Sequence, residues 1–211
     1  MAETHKETLW RSSYKNGWRQ MWKYFSRLLL IGIIGFAMIL PSQTGNEEGS
    51  AVGLGILGLI YYIMVGGPTE YGLSFVHLKA ARNDKPEIRD MFKAFSNYRS
   101  AVLANLLVII IVGAGLVLLV IPGIIFACKL VFTPYLIVDR RMAVIEAVKE
   151  SWRMTRGHTW TVFFIGLLAI PISIIGFICF IVGIIPATMW ISVTYASLYH
   201  AVSVPSEAKM A

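Results

Sequence analysis

The chain has 211 residues, of which 56% are hydrophobic and only 15% are charged, and its formal net charge is +7. An ordinary soluble domain is about 25% charged, so the composition argues against a soluble protein and favours an all-α, polytopic membrane protein. Its two cysteines, Cys128 and Cys179, lie in apolar runs without a CxxC spacing, and we interpret both as packing residues.

The first predicted element is an amphipathic helix close to the N-terminus. Its aromatic residues recur every four positions and each precedes a base; the pairs are Trp10 with Arg11, Tyr14 with Lys15, Trp18 with Arg19 and Trp22 with Lys23. Residues four apart lie along one side of a helix, so the rings form a ridge with the bases beside it. Aromatic rings settle at headgroup depth, while Lys and Arg reach anionic phosphates. This predicts a helix in the membrane interface. Because the bilayer accounts better for the apolar stripe than a nucleic acid does, we expect no nucleic-acid partner.

Six hydrophobic segments follow, and we predict six transmembrane helices arranged as three hairpins. A helix needs about 20 mostly apolar residues to cross a bilayer. The long apolar regions are 28–40, 51–69, 101–138 and 160–202. The first two are separated by the polar loop SQTGNEEGS, at 42–50. The last two are each long enough for two crossings, with turns predicted at Pro122-Gly123 and at 183–186.

The basic residues predict the orientation of these helices. Cytoplasmic loops and flanks retain Lys and Arg. Of the 19 bases, all except Lys129 fall in segments that the hairpin topology places on one side. The loop on the other side carries Glu47 and Glu48 instead. Both termini are therefore predicted to be cytoplasmic.

Each later hairpin is preceded by a shorter version of the N-terminal pattern, which predicts an internal repeat. The second version contains Arg89 and Lys93, and the third contains Lys149, Trp152 and Arg153. We predict that each amphipathic helix contacts anionic lipid or a partner protein; the alternative is that these helices only anchor and orient the spans. A single membrane domain, 1–211, then consists of repeat units at about 8–79, 86–139 and 144–204. These units run in the same direction, unlike the inverted repeats of many secondary transporters.

Two ionisable residues are predicted to lie inside the membrane, Glu70 in span two and Lys129 in span four. A lone charge at that depth costs about 2.5 to 3.5 kcal/mol, so such residues usually pair or line a wet cavity. Their distances from the cytoplasmic ends of the two spans agree, which predicts an ion pair. The pair could be a structural tether or could lie beside a solute path, since Gly66-Gly67-Pro68 can expose backbone groups inside the span.

Two segments carry a family resemblance: EYGLSFVHLKAARNDKPEIRDMFKAF, 70–95, and FTPYLIVDRRMAVIEAVKESWRMTRGHTW, 132–160. They resemble a group of bacterial six-span membrane proteins of unknown function, and the pattern is similar to the membrane domain attached to some glycerophosphodiester phosphodiesterases. The shared features are the exit Pro134 to Asp139 and a following helix with Glu146, Ala147, Val148 and Ser151. The resemblance implies an inner-membrane helical bundle with an accessory role and brings no catalytic residues.

The sequence contains no HExxH, GxSxG or Walker-type motif, and we expect no cofactor, metal site or catalytic residue. The leading hypothesis is a non-enzymatic accessory, scaffold or lipid-binding protein. Its partners would be anionic lipids, other subunits of a membrane complex, or a second copy of the chain. The alternative is a channel or transporter for a small solute that uses Glu70 and Lys129. A membrane enzyme is the third possibility.

Overall fold

The computed structural model describes residues 2–41, 57–118, 120–178 and 183–207, and the chain contains no strand within these ranges. The predicted loop at 42–50 and Cys179 lie outside the described residues. The helices are α1 (Ala2–Lys23), α2 (Phe25–Ile39), α3 (Gly67–Ala81), α4 (Ile88–Met91), α5 (Lys93–Ser96), α6 (Tyr98–Leu118), α7 (Val120–Leu130), α8 (Thr133–Asp139), α9 (Val144–Thr155), α10 (Thr159–Ile178) and α11 (Ile184–Glu207). A π-helical segment, Tyr62–Gly66, leads directly into α3.

Several of these helices are long and apolar enough to cross a membrane. Among the described residues they are Tyr98–Val117, Ile121–Asp139 and Thr159–Phe177, which correspond to α6, to α7 with α8, and to α10. The segments Leu9–Lys23 and Phe25–Ile39 form a fourth candidate if they are one broken span, although they meet at an angle of 88°. The prediction of an all-helical protein with membrane-length apolar helices is confirmed at this level.

The long helix α11 lies at the centre of the bundle, packed against α1, α3 and α10. It is less apolar than α6 or α10, and its buried face includes Thr194 and Ser197. Both hydroxyls donate to carbonyls one turn earlier in the same helix, at 2.8 Å from the oxygens of Trp190 and Val193. Small hydroxyl residues allow helices to approach closely while remaining hydrogen-bonded. A helix enclosed by other helices can therefore be more polar than one that faces lipid.

Helix α1 docks against this central helix through a small and polar face. That face consists of Ser13, Tyr14, Gly17, Gln20 and Met21, all of them buried. Gly17 is needed there because a Cβ at this position would lie 2.5 Å from the Thr194 hydroxyl oxygen. The Tyr14 hydroxyl donates to the carbonyl of Ile165 at 2.8 Å. The N-terminal helix is thus an integral part of the bundle.

The predicted aromatic ridge of α1 does not form one uniform surface. Tyr14 is buried in the bundle, where the indole Nε1 of Trp190 donates to its backbone carbonyl at 3.0 Å. Trp18 and Trp22, in contrast, are 46% and 53% exposed. Trp18 bridges the two environments, since its ring centroid lies 4.7 Å from that of Trp190. Because residues four apart on a helix drift gradually around its axis, the ridge turns from protein contact to an open surface.

Candidate functional site

A basic concave surface lies on α9, and we call it the α9 groove. It has a volume of about 390 Å³ and is lined by Val148, Lys149, Trp152, Arg153 and Arg156. Its three bases are exposed. They share one side because positions three or four apart are neighbours on a helix. The predicted residues Lys149, Trp152 and Arg153 are therefore brought together, and Arg156 is added to them.

Two further contacts shape the electrostatics of the α9 groove. Arg153 forms an ion pair with Glu150, with 2.8 Å between Nη2 and Oε1. The Nζ atom of Lys129 lies 5.5 Å from the centre of the Trp152 ring, within range of a cation–π interaction. One carboxylate thus accompanies four nearby cations, and the surface remains positive.

A second basic groove lies between α2 and α4, and we call it the α2–α4 groove. It has a volume of about 530 Å³ and is lined by Ser26, Arg27, Leu30, Ile31, Pro86, Glu87, Ile88 and Arg89. Arg27 donates to the carbonyl of Pro86 at 3.4 Å, while Arg89 forms an exposed ion pair with Glu87. The predicted contact residue Arg89 thus shares a groove with Arg27, and the wall also includes Glu87 and several apolar side chains.

Four bases of α1 are exposed but line neither groove; they are Arg11, Lys15, Arg19 and Lys23. Lys23 donates to the side-chain oxygen of Asn83 at 2.5 Å, and Tyr24 donates to the backbone carbonyl of the same residue at 2.9 Å. These bonds fasten the end of α1 to the turn after α3. The bases of α1 therefore form an open surface instead of a pocket.

The side chain of Lys93 belongs to a cluster around a buried carboxylate, Asp90. Asp90 is only 1% exposed and accepts hydrogen bonds from Lys79 at 2.8 Å and from the backbone N–H of Glu87 at 3.0 Å. Its other oxygen lies 3.1 Å from Lys93 Nζ. Burial raises the pKa of Asp90, but the hydrogen bonds from both lysines and the backbone outweigh it and hold the pKa below its usual range. This cluster fixes the segment between α3 and α6. Lys93 therefore stabilises the fold in addition to contributing positive charge at the surface.

A polar junction joins three distant parts of the chain. Arg82, just after α3, makes two parallel bonds to Asp139, at 2.6 Å and 2.7 Å. Tyr199 of α11 also donates to Asp139, at 3.3 Å, and stacks on Tyr135 with 5.0 Å between ring centres. Asp139 is the last residue of the exit motif that begins at Pro134. Its carboxylate therefore links the turn after α3 with α8 and α11, and the last two were predicted to lie in separate repeat units.

The structure gives Glu70 and Lys129 different partners. The Glu70 carboxylate accepts a hydrogen bond from the Tyr62 hydroxyl at 3.0 Å, whereas the Lys129 ammonium lies over the Trp152 ring. Among the ion pairs of the described residues, a Glu70–Lys129 pair does not occur. Equal depth along two spans does not fix the direction in which each helix turns its side chain, and Lys129 is turned towards α9.

Sequence reasoning missed several residues of the polar junction, although one signal was available. Tyr71, Tyr135 and Tyr199 are spaced by 64 residues at each step, and all three are buried. This regular spacing is the sequence signal that points to Tyr135 and Tyr199. No group of three or more His, Cys, Asp or Glu side chains that could hold a metal ion occurs in the described part of the chain.

The fold and these surfaces define a class: an all-helical protein with several helices apolar enough to span a membrane and with basic grooves on the segments that connect them. The chain belongs to the family described as protein of unknown function (DUF975), whose model matches residues 94–205. The match thus extends from α5 into α11 and includes the α9 groove and Asp139. No curated protein and no solved structure matches the chain. A link to glycerophosphodiester phosphodiesterases is not shown by any of these comparisons.

Proposed function

We propose that this protein is a non-enzymatic protein of the bacterial inner membrane, with six transmembrane helices and both termini in the cytoplasm, and that it binds anionic phospholipid headgroups through its basic grooves. In this role it serves as an accessory or scaffold component of the membrane. The observation that carries the proposal is the α9 groove, where three exposed bases surround an indole ring.

The position of α9 favours a lipid as the ligand. The helix connects two membrane-length stretches, Ile121–Asp139 and Thr159–Phe177, and only a few residues separate it from either one. Because a short connection keeps a helix close to the ends of the spans that it joins, α9 lies at a membrane surface. Headgroup phosphates are then the nearest anions.

The chemistry of the α9 groove fits a headgroup phosphate. An Arg guanidinium presents a fork of N–H donors that matches phosphate oxygens, and Lys supplies a compact charge. An indole settles at the same depth in the interface. The α2–α4 groove likewise places two guanidinium groups, Arg27 and Arg89, beside apolar side chains such as Ile88. Such a surface accommodates a charged headgroup above the first carbons of its acyl chains.

A transporter that depends on Glu70 and Lys129 has less support. The two side chains interact with Tyr62 and Trp152, respectively, and not with each other. The described residues therefore lack the Glu70–Lys129 ion pair on which the transporter hypothesis depends.

The proposal is tested by lipid retention. The purified protein, in mixed micelles that contain phosphatidylglycerol and phosphatidylcholine, is analysed by native mass spectrometry to count the bound lipids of each kind. We expect the wild-type protein to retain phosphatidylglycerol preferentially. In the double variant Lys149→Gln with Arg156→Gln this preference should fall. Each base near an anionic surface contributes about 1 kcal/mol, so the apparent affinity should decrease by up to about 30-fold.

A charge-matched control separates groove binding from general attraction. Lys85→Gln with Arg99→Gln removes two exposed bases that line neither groove. This control should keep most of the preference. If both double variants lose it equally, the grooves are not binding sites, and the net positive charge alone attracts the lipid.

A further inference from the structure

A third groove, which we call the α3–α6 groove, lies among the apolar helices, away from the basic surfaces. It has a volume of about 570 Å³, comparable with pockets that hold small organic ligands. Helices α3, α6, α7 and α8 all contribute to it. Its wall is mostly hydrocarbon, formed by side chains such as Ile109, Leu116 and Leu130. Three lining side chains carry polar groups, Glu70, Asn105 and the buried Tyr71.

Asn105 has a donor without a partner. Its side chain is only 6% exposed, and its Nδ2 atom has no hydrogen-bond acceptor in the described part of the chain. Asn105 is pressed against Gly67, where any Cβ would collide with the amide group. A buried amide that lines a groove and lacks an acceptor points to a ligand that supplies one.

Glu70 supplies the complementary acceptor. It is exposed in the groove and receives one side-chain hydrogen bond, from Tyr62 of the π-helical segment. Gly67 and Glu70 are three residues apart on α3, so they lie on the same side of the helix. The Asn105 amide packs against Gly67, so it contacts α3 on the side that carries Glu70. π-Helical segments occur frequently at functional sites, and here the segment places the Tyr62 hydroxyl on Glu70.

We infer that the α3–α6 groove binds a long-chain amphiphile with a hydroxyl headgroup. The hydroxyl donates a hydrogen bond to the Glu70 carboxylate and accepts one from Asn105, while the hydrocarbon chain lies along α6. A fatty acid carboxylate would be repelled by the like charge of Glu70. An ammonium group has no acceptor, so it would leave the Asn105 donor unpaired. This inference does not depend on the basic grooves or on the lipid headgroups proposed for them.

The test uses hexadecanol with a diazirine in its chain, irradiated with the full-length protein in detergent, and mass spectrometry to locate the adducts. Adducts should map to α3, α6 and α7. Unlabelled hexadecanol should compete with the probe. Hexadecyl methyl ether can accept a hydrogen bond but cannot donate one. It should compete at least about tenfold less well, which is the factor expected for the loss of one hydrogen bond. Equal competition by the ether, or better competition by hexadecylammonium, overturns the assignment of a hydroxyl ligand.

Two variants test the location. Gly113→Leu fills the groove from α6, where an added Cβ meets no atom within 4 Å, so the fold should tolerate it. Gly32→Leu on α2 is the matched control, because its added Cβ also meets nothing within 4 Å and it does not line the groove. Labelling should fall about tenfold in the first variant and remain unchanged in the second. Asn105→Leu should lower labelling similarly. Unchanged labelling in Gly113→Leu, or an equal loss in Gly32→Leu, refutes the site.

Discussion

The junction between Arg82 and Asp139 should be one of the strongest polar contacts in the fold, and Asp139→Asn tests this. The substitution keeps the size of the side chain and an acceptor for Tyr199. It removes the negative charge of the carboxylate, which accepts two hydrogen bonds from Arg82 at 2.6 Å and 2.7 Å. The side chains are 26% and 13% exposed, so the pair is neither fully buried nor open to solvent. Breaking a buried pair costs about 3 to 5 kcal/mol, and an exposed pair contributes about 0 to 1 kcal/mol. We expect a loss of about 2 to 3 kcal/mol, between these limits.

Thermal unfolding in one detergent, followed by tryptophan fluorescence, measures this loss. For a chain of this size, 1 kcal/mol corresponds to about 2 to 4 °C, so Tm should fall by about 4 to 12 °C. Glu87→Gln is the control, since it breaks the exposed pair with Arg89, and it should lower Tm by no more than about 4 °C. A double-mutant cycle with Arg82→Gln isolates the pairwise contribution. If the two single effects simply add, or if Asp139→Asn changes Tm no more than Glu87→Gln does, the junction does not hold the three regions together.

Three further predictions concern docking, pH and topology. Gly17→Leu should destabilise the protein by about 1 to 3 kcal/mol because the new side chain collides with α11. Gly32→Leu, whose added side chain meets open space, should leave Tm unchanged. Equal Tm values for these two variants would disprove the docking of α1 against α11. The stability that the lowered pKa of Asp90 contributes is fully present above the unfolded pKa of about 3.9 and is lost as the pH falls through the lower folded value. Asp90→Asn should therefore be less stable than wild type at pH 6, and the difference in Tm should shrink in more acidic buffer; a constant difference would show that ionisation of Asp90 is not involved. A cysteine introduced at Lys85 should react with a membrane-impermeant maleimide only after the cells are opened. A cysteine introduced at Gly45 should react in cells whose outer membrane alone has been permeabilised. The reverse pattern would contradict the proposed orientation.

Composition and helical periodicity were sufficient to predict the class of fold and part of the site. Long apolar runs with almost no charge have no stable alternative to helices in lipid, because every backbone polar group must be paired within the segment. On α9, spacings of three and four residues place Lys149, Trp152 and Arg153 on one side whatever surrounds the helix. Predictions that depend on a single helix were therefore within reach of the sequence.

The buried face of α1 was not predictable in the same way. The aromatic ridge and the small face with Ser13 and Gly17 share one helix, and both have helical spacing. An aromatic ring can be satisfied by lipid or by protein, so its presence does not identify the contact surface. A glycine against a threonine is more informative, because small residues permit close approach between helices. In a membrane protein, small residues thus indicate helix contacts better than large apolar ones do.

The separation of Glu70 from Lys129 follows from the same limit. Counting residues from the end of a span gives depth, at 1.5 Å per residue, but the direction of a side chain around the axis depends on which helices are neighbours. The π-helical segment Tyr62–Gly66 adds to this, since a change from the regular α-helical repeat rotates every later side chain relative to the earlier ones. Tyr62 is the first residue of this segment, Glu70 follows it in α3, and the two side chains are hydrogen-bonded to each other. The rotation caused by the π-helical segment is not visible in the sequence. It contributes to the position of the Glu70 side chain, which lines a groove with Asn105 instead of pairing with Lys129.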